Sequence, residues 1–233
     1  MKLISLIISS HDVPQYKEMR ELATLYHSKM QDIYDYRFFF VEFREDISCD
    51  IEERGNFIYV KGKENFYVMF DKIMKAIQFL HGKYEYDYIL RTNLSSFWNL
   101  PKLFSMEHTF TSPFAGGIIM KWGFTQMIHG KNISFNQFIS GTGIFLSRDV
   151  AYQLSMCMND YKTNDDIVIS YHLSQITQFT EWNNSYMYYM VDGGTQIPED
   201  ITNILYFRIK NANRDIDIEV FRKLLMKIYA IEA

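Results

Sequence analysis

Asp165 and Asp166 follow Asn164 at the head of a segment whose apolar positions, Ile167 to Leu173, predict a helix. Carboxylates there complement the helix dipole as caps, or one faces a cleft as a general base. On these residues alone both roles stay open. A second polar cluster is Arg91-Thr92-Asn93-Leu94-Ser95, where an apolar strand turns abruptly polar at its carboxyl end. Ligands of open α/β sheets bind beyond the carboxyl ends of strands; the alternative is a polar turn with Asn93 or Ser95 capping a short helix. The third is Ser140-Gly141-Thr142-Gly143. Two glycines inside a strand pattern mark a bulge or the close approach of a ligand or backbone. In Tyr206-Phe207-Arg208-Ile209-Lys210, strand alternation puts Arg208 and Lys210 on one face. They either clamp a diphosphate or form a solvated edge.

The elements that must hold these groups are legible as patterns. Leu3 to Ser9 reads as a central parallel strand, and Pro14 opens a helix with Met19, Leu22, Ala23, Tyr26 and Met30 on one face. Strands follow at 37–43 and 57–60. A regular helix runs from Phe66 to near Gly82, and Tyr88 to Thr92 is the next strand. The order β-α-β-β-α-β means an α/β fold with a mostly parallel central sheet flanked by helices.

The second half is less regular. Strands are expected at 117–122, at 138–146 (broken by Gly141-Thr142-Gly143), at 186–191 and at 204–209. Helices are expected from Val150 to Met158 behind Ser147 as N-cap, and from Asp217 to Tyr229. Without repeats or a Pro/Gly/Ser linker, residues 1–233 read as one domain.

The chain has 233 residues, 17% of them aromatic and 48% hydrophobic, enough to build a core without staples. With 24 basic and 28 acidic residues the net charge is −4, and no basic block is present. That argues against nucleic-acid binding, whose affinity rests on neutralised phosphates. No apolar run approaches a membrane span. The first run is too short for a signal-peptide core, so a cytoplasmic location is expected, with Cys49 and Cys157 as reduced thiols and the sequons at Asn93, Asn132 and Asn183 without consequence. A dinucleotide or methyltransferase reading lacks its glycine-rich first loop, and Walker, H-E-x-x-H and G-x-S-x-G motifs are absent.

Taken in order, three segments resemble the glycosyltransferase-A fold, within it the Fringe and β1,3-galactosyltransferase group and its short bacterial and viral members. They are Tyr86 to Ser95, Ser140-Gly141-Thr142-Gly143-Ile144-Phe145-Leu146-Ser147-Arg148-Asp149, and Asp165-Asp166-Ile167. The resemblance spans about residues 1–210. It implies a Rossmann-like domain with a nucleotide-binding half, 1–96, and an acceptor-binding half with the C-terminal helix, 97–233. It implies transfer of a sugar from a UDP- or GDP-sugar to a hydroxyl of a glycan or glycoprotein, with inversion. By the same resemblance Asp166 is the base, and Asp165 orients the acceptor or caps the helix. Ser9, Ser10 and Arg44 fall where the fold reads base and ribose. Arg91, Thr92, Asn93, Ser95, Gly141, Thr142, Gly143, Arg208 and Lys210 line the donor. Trp122, and Trp98 or Trp182, are candidates for stacking on sugar.

One departure stands out. The group's acidic triplet holds Mn²⁺ or Mg²⁺ against the diphosphate, and here Asn93 and Ser95 occupy that place. Their neutral oxygens are weaker ligands for a hard cation, and Phe207 stands where related enzymes often have a histidine ligand. Weak metal use, metal-independent transfer with protein cations, and an inactive glycan- or partner-binding module follow as alternatives.

Overall fold

The apolar run at the amino end forms β1 (Leu3–Ile8), and its two sets of alternating side chains enter different cores. Leu3 and Ile7 point to one face of the sheet, Ile4, Leu6 and Ile8 to the other. The same division runs through β2 (Tyr36–Arg44), with Tyr36, Phe38 and Phe40 against Phe39, Val41 and Phe43. Such double burial is what a strand between parallel neighbours requires. In this computed structural model residues 1–128, 130–157, 164–182 and 188–233 are described.

β1 and β2 join an eight-stranded sheet with β3 (Ile51–Arg54), β4 (Phe57–Lys61), β5 (Tyr88–Asn93), β7 (Ala115–Met120), β10 (Phe138–Ser147) and β11 (Phe179–Glu181). The order is β11-β7-β10-β5-β1-β2-β4-β3. β1, β2, β4, β5, β7 and β11 run one way, and β3 and β10 run against them. A three-stranded sheet packs β13 (Tyr206–Ile209) between β12 (Tyr188–Val191) and β6 (Ser96–Trp98). A hairpin is made by β8 (Phe124–Ile128) and β9 (Lys131–Phe135).

The helices divide as the strand faces do. α1 (Pro14–Gln31) and α6 (Arg214–Leu224) share one core with β6 and β13. α2 (Met69–Lys83), α4 (Arg148–Ser155) and α5 (Asp165–Ile176) pack the opposite face. A short α3 (Leu100–Ser105) follows β6, capped by Asn99, whose side chain accepts from Lys102 N–H. The expected α/β class with a mostly parallel, helix-flanked sheet is therefore what forms. No helix among the described residues is long and apolar enough to cross a membrane.

Several local expectations change. β10 is not broken at Gly141-Thr142-Gly143; it stays a strand and shifts register against β7 between Ile139 and Ile144. Asn93 and Ser95 cap no helix, because the chain turns directly into β6. Ser147 precedes α4 but makes no cap bond; its hydroxyl donates to Asp149 and accepts from Phe114 N–H. The stretch after Trp122, which carries no strand expectation, forms the β8–β9 hairpin. The last helix begins at Arg214 and ends in a π-helical turn, Leu225–Tyr229. Met158, Tyr186 and the Asn183 sequon lie outside the described residues.

Candidate functional site

Alternation along β5 sends Arg91 and Asn93 to the α5 face and Thr92 to the other. The Arg91 guanidinium, only 3% exposed, is enclosed. It donates to Asn93 Oδ1 at 3.0 Å, to the Gly141 carbonyl and to the Asp165 carboxylate. Gly141 leaves no room for a side chain, since a Cβ there would sit 2.9 Å from Arg91 Nη1 and 3.3 Å from Asp166 Cβ. The close approach suggested by the glycine pair is thus made by a guanidinium.

Asp166 opens α5 beside this ion pair. Its Oδ2 accepts from Gly141 N–H at 3.3 Å and its Oδ1 from Ile167 N–H at 3.0 Å. Burial pushes its pKa up to about 6, helped by the neighbouring Asp165 charge and opposed by Arg91 and the two N–H groups. The two carboxylates are therefore inequivalent. Asp165 neutralises Arg91, and Asp166 keeps a proton affinity suited to accepting a proton near neutral pH.

On the opposite face, Thr92 Oγ1 accepts from Trp98 Nε1 and donates to the Thr142 carbonyl, both at 2.8 Å. Thr142 Oγ1 meets Tyr206 OH at 3.0 Å, and Trp98 stacks on Tyr206 at 4.3 Å. A Cβ at Gly143 would come within 2.3 Å of Trp98 Cζ2. Ser95 joins β6 to β13: its carbonyl accepts from Ile209 N–H at 2.9 Å and its hydroxyl from Arg208. Lys210 lies one residue past β13 and is exposed, so the alternation expected to pair it with Arg208 stops short of it.

Beyond β1 and β2 the sequence reading missed a charged network. Arg20 donates to Ser9 Oγ at 3.1 Å, to the Ser10 carbonyl at 2.9 Å and to Glu42 at 2.9 Å. Lys72, fully buried, donates to the Ser9 carbonyl at 3.2 Å and to Glu64 at 2.8 Å. Burial lowers the Lys72 pKa, Glu64 opposes that, and Arg91 is near enough to push it further down. The signal available was charge at core-facing positions: Glu42 alternates with Phe38 and Phe40, and Lys72 sits between Phe70 and Ile73. Such charges persist inside proteins only when paired.

Arg44 turns outward instead. It grips Asp46 through two bonds of 2.8 and 2.7 Å and lies over the Tyr59 ring at 5.5 Å. With His11, Asp12 and Glu64 it lines a cleft of about 340 Å³. Trp122 is 53% exposed, its ring edge-on to Phe138 at 5.1 Å beside the hairpin. Trp98 and Trp182 are buried and present no face for a sugar. The structure thus gathers Arg91, Thr92, Asn93, Gly141, Thr142, Gly143, Asp165 and Asp166, links Ser95 to Arg208, and places Ser9 and Arg44 beyond β1 and β2.

The residues at the expected cation position do not fit a divalent metal. The Asn93 oxygen and the Ser95 hydroxyl each already accept from a guanidinium, Arg91 and Arg208 respectively. Among the described residues no three His, Cys, Asp or Glu side chains gather in a metal-binding group.

Neither a family model nor a curated protein matches the chain by sequence. Solved structures do match. A glycosyltransferase involved in glycosylation of the major capsid of PBCV-1 aligns with TM-score 0.53 and 13% identity, over 95% of this chain and 99% of that one. The galactosyltransferase LgtC, solved with donor and acceptor sugar analogues, aligns with TM-score 0.52 and 9% identity, over 99% and 96%. The chain adopts the glycosyltransferase-A fold. The inositol-1-phosphate CTP transferase of T. maritima also aligns, with TM-score 0.50 and 11% identity over 100% and 98%, so the glycosyltransferase-A fold alone does not choose the reaction. In this fold the Arg91–Asp165–Asp166 group sits at the carboxyl end of β5, where open α/β sheets take ligands.

Proposed function

We propose that the protein is a glycosyltransferase of the Fringe-like kind, moving a sugar from a UDP- or GDP-sugar to a hydroxyl of a glycan or glycoprotein. The observation that carries this reading is Asp166, a carboxylate raised to about pKa 6 at a helix start, held by Gly141 N–H beside a neutralised Arg91–Asp165 pair. Asp166 takes the proton of the acceptor hydroxyl as its oxygen attacks the anomeric carbon. The bond to the nucleoside diphosphate breaks on the opposite face, so the configuration inverts. Around that base Arg91 acts as a positioning residue that fixes the Gly141 carbonyl and Asp165, and Asp165 offsets the Arg91 charge that would otherwise lower the Asp166 pKa further.

The leaving diphosphate needs positive charge, which the Asn93 and Ser95 position does not supply through a metal. We assign that work to Arg208, with exposed Lys210, two residues on, as a further candidate cation. Ser9 and the cleft at Arg44 take the nucleoside, and Trp122 meets the acceptor. In this reading residues 1–96 bind the nucleotide and residues 97–233 the acceptor, within one domain. Donor hydrolysis to free sugar and nucleoside diphosphate, run with and without chelator, tests the proposal. Turnover that survives chelation and collapses in Asp166→Asn is the expected result. Glycan binding without turnover of any donor would instead favour an inactive binding module.

A further inference from the structure

The amino end of β5 opens onto a cleft, at the opposite end of that strand from the Asp166 site. Its volume is about 670 Å³, larger than the cleft beside Arg44. The five residue steps from Tyr88 to Asn93 put roughly 17 Å between the two ends of the strand. The cleft is walled by the end of α2, the start of α4 and the chain before β7, with His81, Tyr88, Phe110, Ser112, Arg148 and Tyr152 among its lining residues.

Its wall is an aromatic platform. Tyr152, 43% exposed, lies flat on His81 with ring centroids 4.2 Å apart and planes at 22°. His81 Nδ1 in turn meets Tyr86 OH at 3.3 Å, and the Arg148 guanidinium covers the Tyr86 ring at 5.1 Å. Burial and the Arg148 charge lower the His81 pKa.

The polar groups around it are mostly acceptors: Asp87, Glu107 and Asp149, with Ser112 and one cation, Arg148. Arg148 is itself paired with Glu85, as Glu107 is with the Met1 ammonium. A phosphate or nucleotide would meet net negative charge here. Asp149 already accepts from Ser112 and Ser147 hydroxyls; burial pushes its pKa up, but these bonds and backbone N–H groups outweigh that and hold it below the usual carboxylate range. Acceptors with spare lone pairs beside an exposed aromatic ring face suit a ligand with many hydroxyl donors and an apolar C–H face.

We propose that this cleft is an accessory binding site for a neutral oligosaccharide, separate from the Asp166 site. Binding there does not require that the protein be a transferase; its use in retaining a glycan acceptor does rest on the reading above. A chain held at one end of β5 would raise the local concentration of its other units near the protein without entering the reaction.

Saturation-transfer NMR with neutral tri- and tetrasaccharides of glucose, galactose and N-acetylglucosamine tests it, with no nucleotide present. Wild-type protein and Asp166→Asn should bind the same saccharide equally. Tyr152→Ala should weaken it about tenfold, the scale of one lost aromatic contact, and Tyr152→Phe should keep it. Circular dichroism confirms that each variant is folded. No saccharide bound by wild type, binding unchanged in Tyr152→Ala, or displacement of the saccharide by spermine at equal concentration would each overturn the proposal. Loss of donor hydrolysis with saccharide binding intact would overturn only the transferase reading.

Discussion

Replacing Asp166 by Asn removes a charge that folding has made unfavourable. Its pKa rises from 3.8 to about 6 on folding, a difference of roughly 3 kcal/mol at 1.36 kcal/mol per unit. The folded state therefore holds the proton more tightly than the unfolded chain. This contribution is fully present below the unfolded value, near pH 3.8, and is lost as pH rises through about 6. Between pH 8 and pH 5 wild type should gain about 1.4 kcal/mol from this one group, and Asp166→Asn should gain none of it. At pH 8 the variant is relieved of the buried charge. It gives up one acceptor to a backbone N–H, at a cost of about 1 kcal/mol. A net stabilisation of about 1–2 kcal/mol remains, and it should shrink toward zero or reverse at pH 5. Urea denaturation at both pH values reads the difference directly, and donor hydrolysis on the same samples should fall by about 10²–10⁴-fold. In wild type the rate should climb with pH to a plateau above the Asp166 value. If wild type and variant change stability equally between pH 8 and 5, the raised pKa is wrong. If the variant keeps full activity, Asp166 is not the base.

Arg91→Ala should cost about 3–5 kcal/mol, because Asp165 would be left as an unpaired buried charge and the Gly141 carbonyl would lose its donor; a urea titration shows it as a lower midpoint. Gly143→Ala drives a Cβ into the Trp98 ring, so about 1–3 kcal/mol of overpacking strain should appear with an altered tryptophan fluorescence spectrum. Arg208→Gln keeps an amide donor but removes the charge, so nucleoside diphosphate affinity should fall about tenfold by calorimetry in a variant that circular dichroism shows to be folded. Equal affinity in that variant would remove Arg208 from the donor site.

Much of the scaffold was readable in residue order because it is encoded locally. The uninterrupted apolar run of β1, the helical spacing of α2 and the charge at the head of α5 each carry their own period or terminus signal. What escaped were elements too short for a period to show, such as β6 and β11, and the β8–β9 hairpin. Lys210 was misjudged because alternation was carried one residue past the end of β13. The charged interior escaped because Arg20, Glu42, Glu64 and Lys72 are ordinary surface residues by type and become a network only when α1, α2, β2 and the chain before α2 meet.

The sequence by itself determined an α/β chain, the polar end of β5, a glycine pair marking either a bulge or a close approach, and two carboxylates at a helix start. Those follow from neighbours along the chain. Only tertiary structure decided what each group does, since Gly141 lies 50 residues from Arg91 and Asp165 lies 74 from it. By inserting β10 antiparallel between β5 and β7, the fold turns Arg91 inward onto Asp165 and leaves Asp166 the carboxylate with a raised pKa. A guanidinium taken out of water must find a carboxylate, and that requirement, satisfied across the sheet, separates the two aspartates that residue order presents as a matched pair.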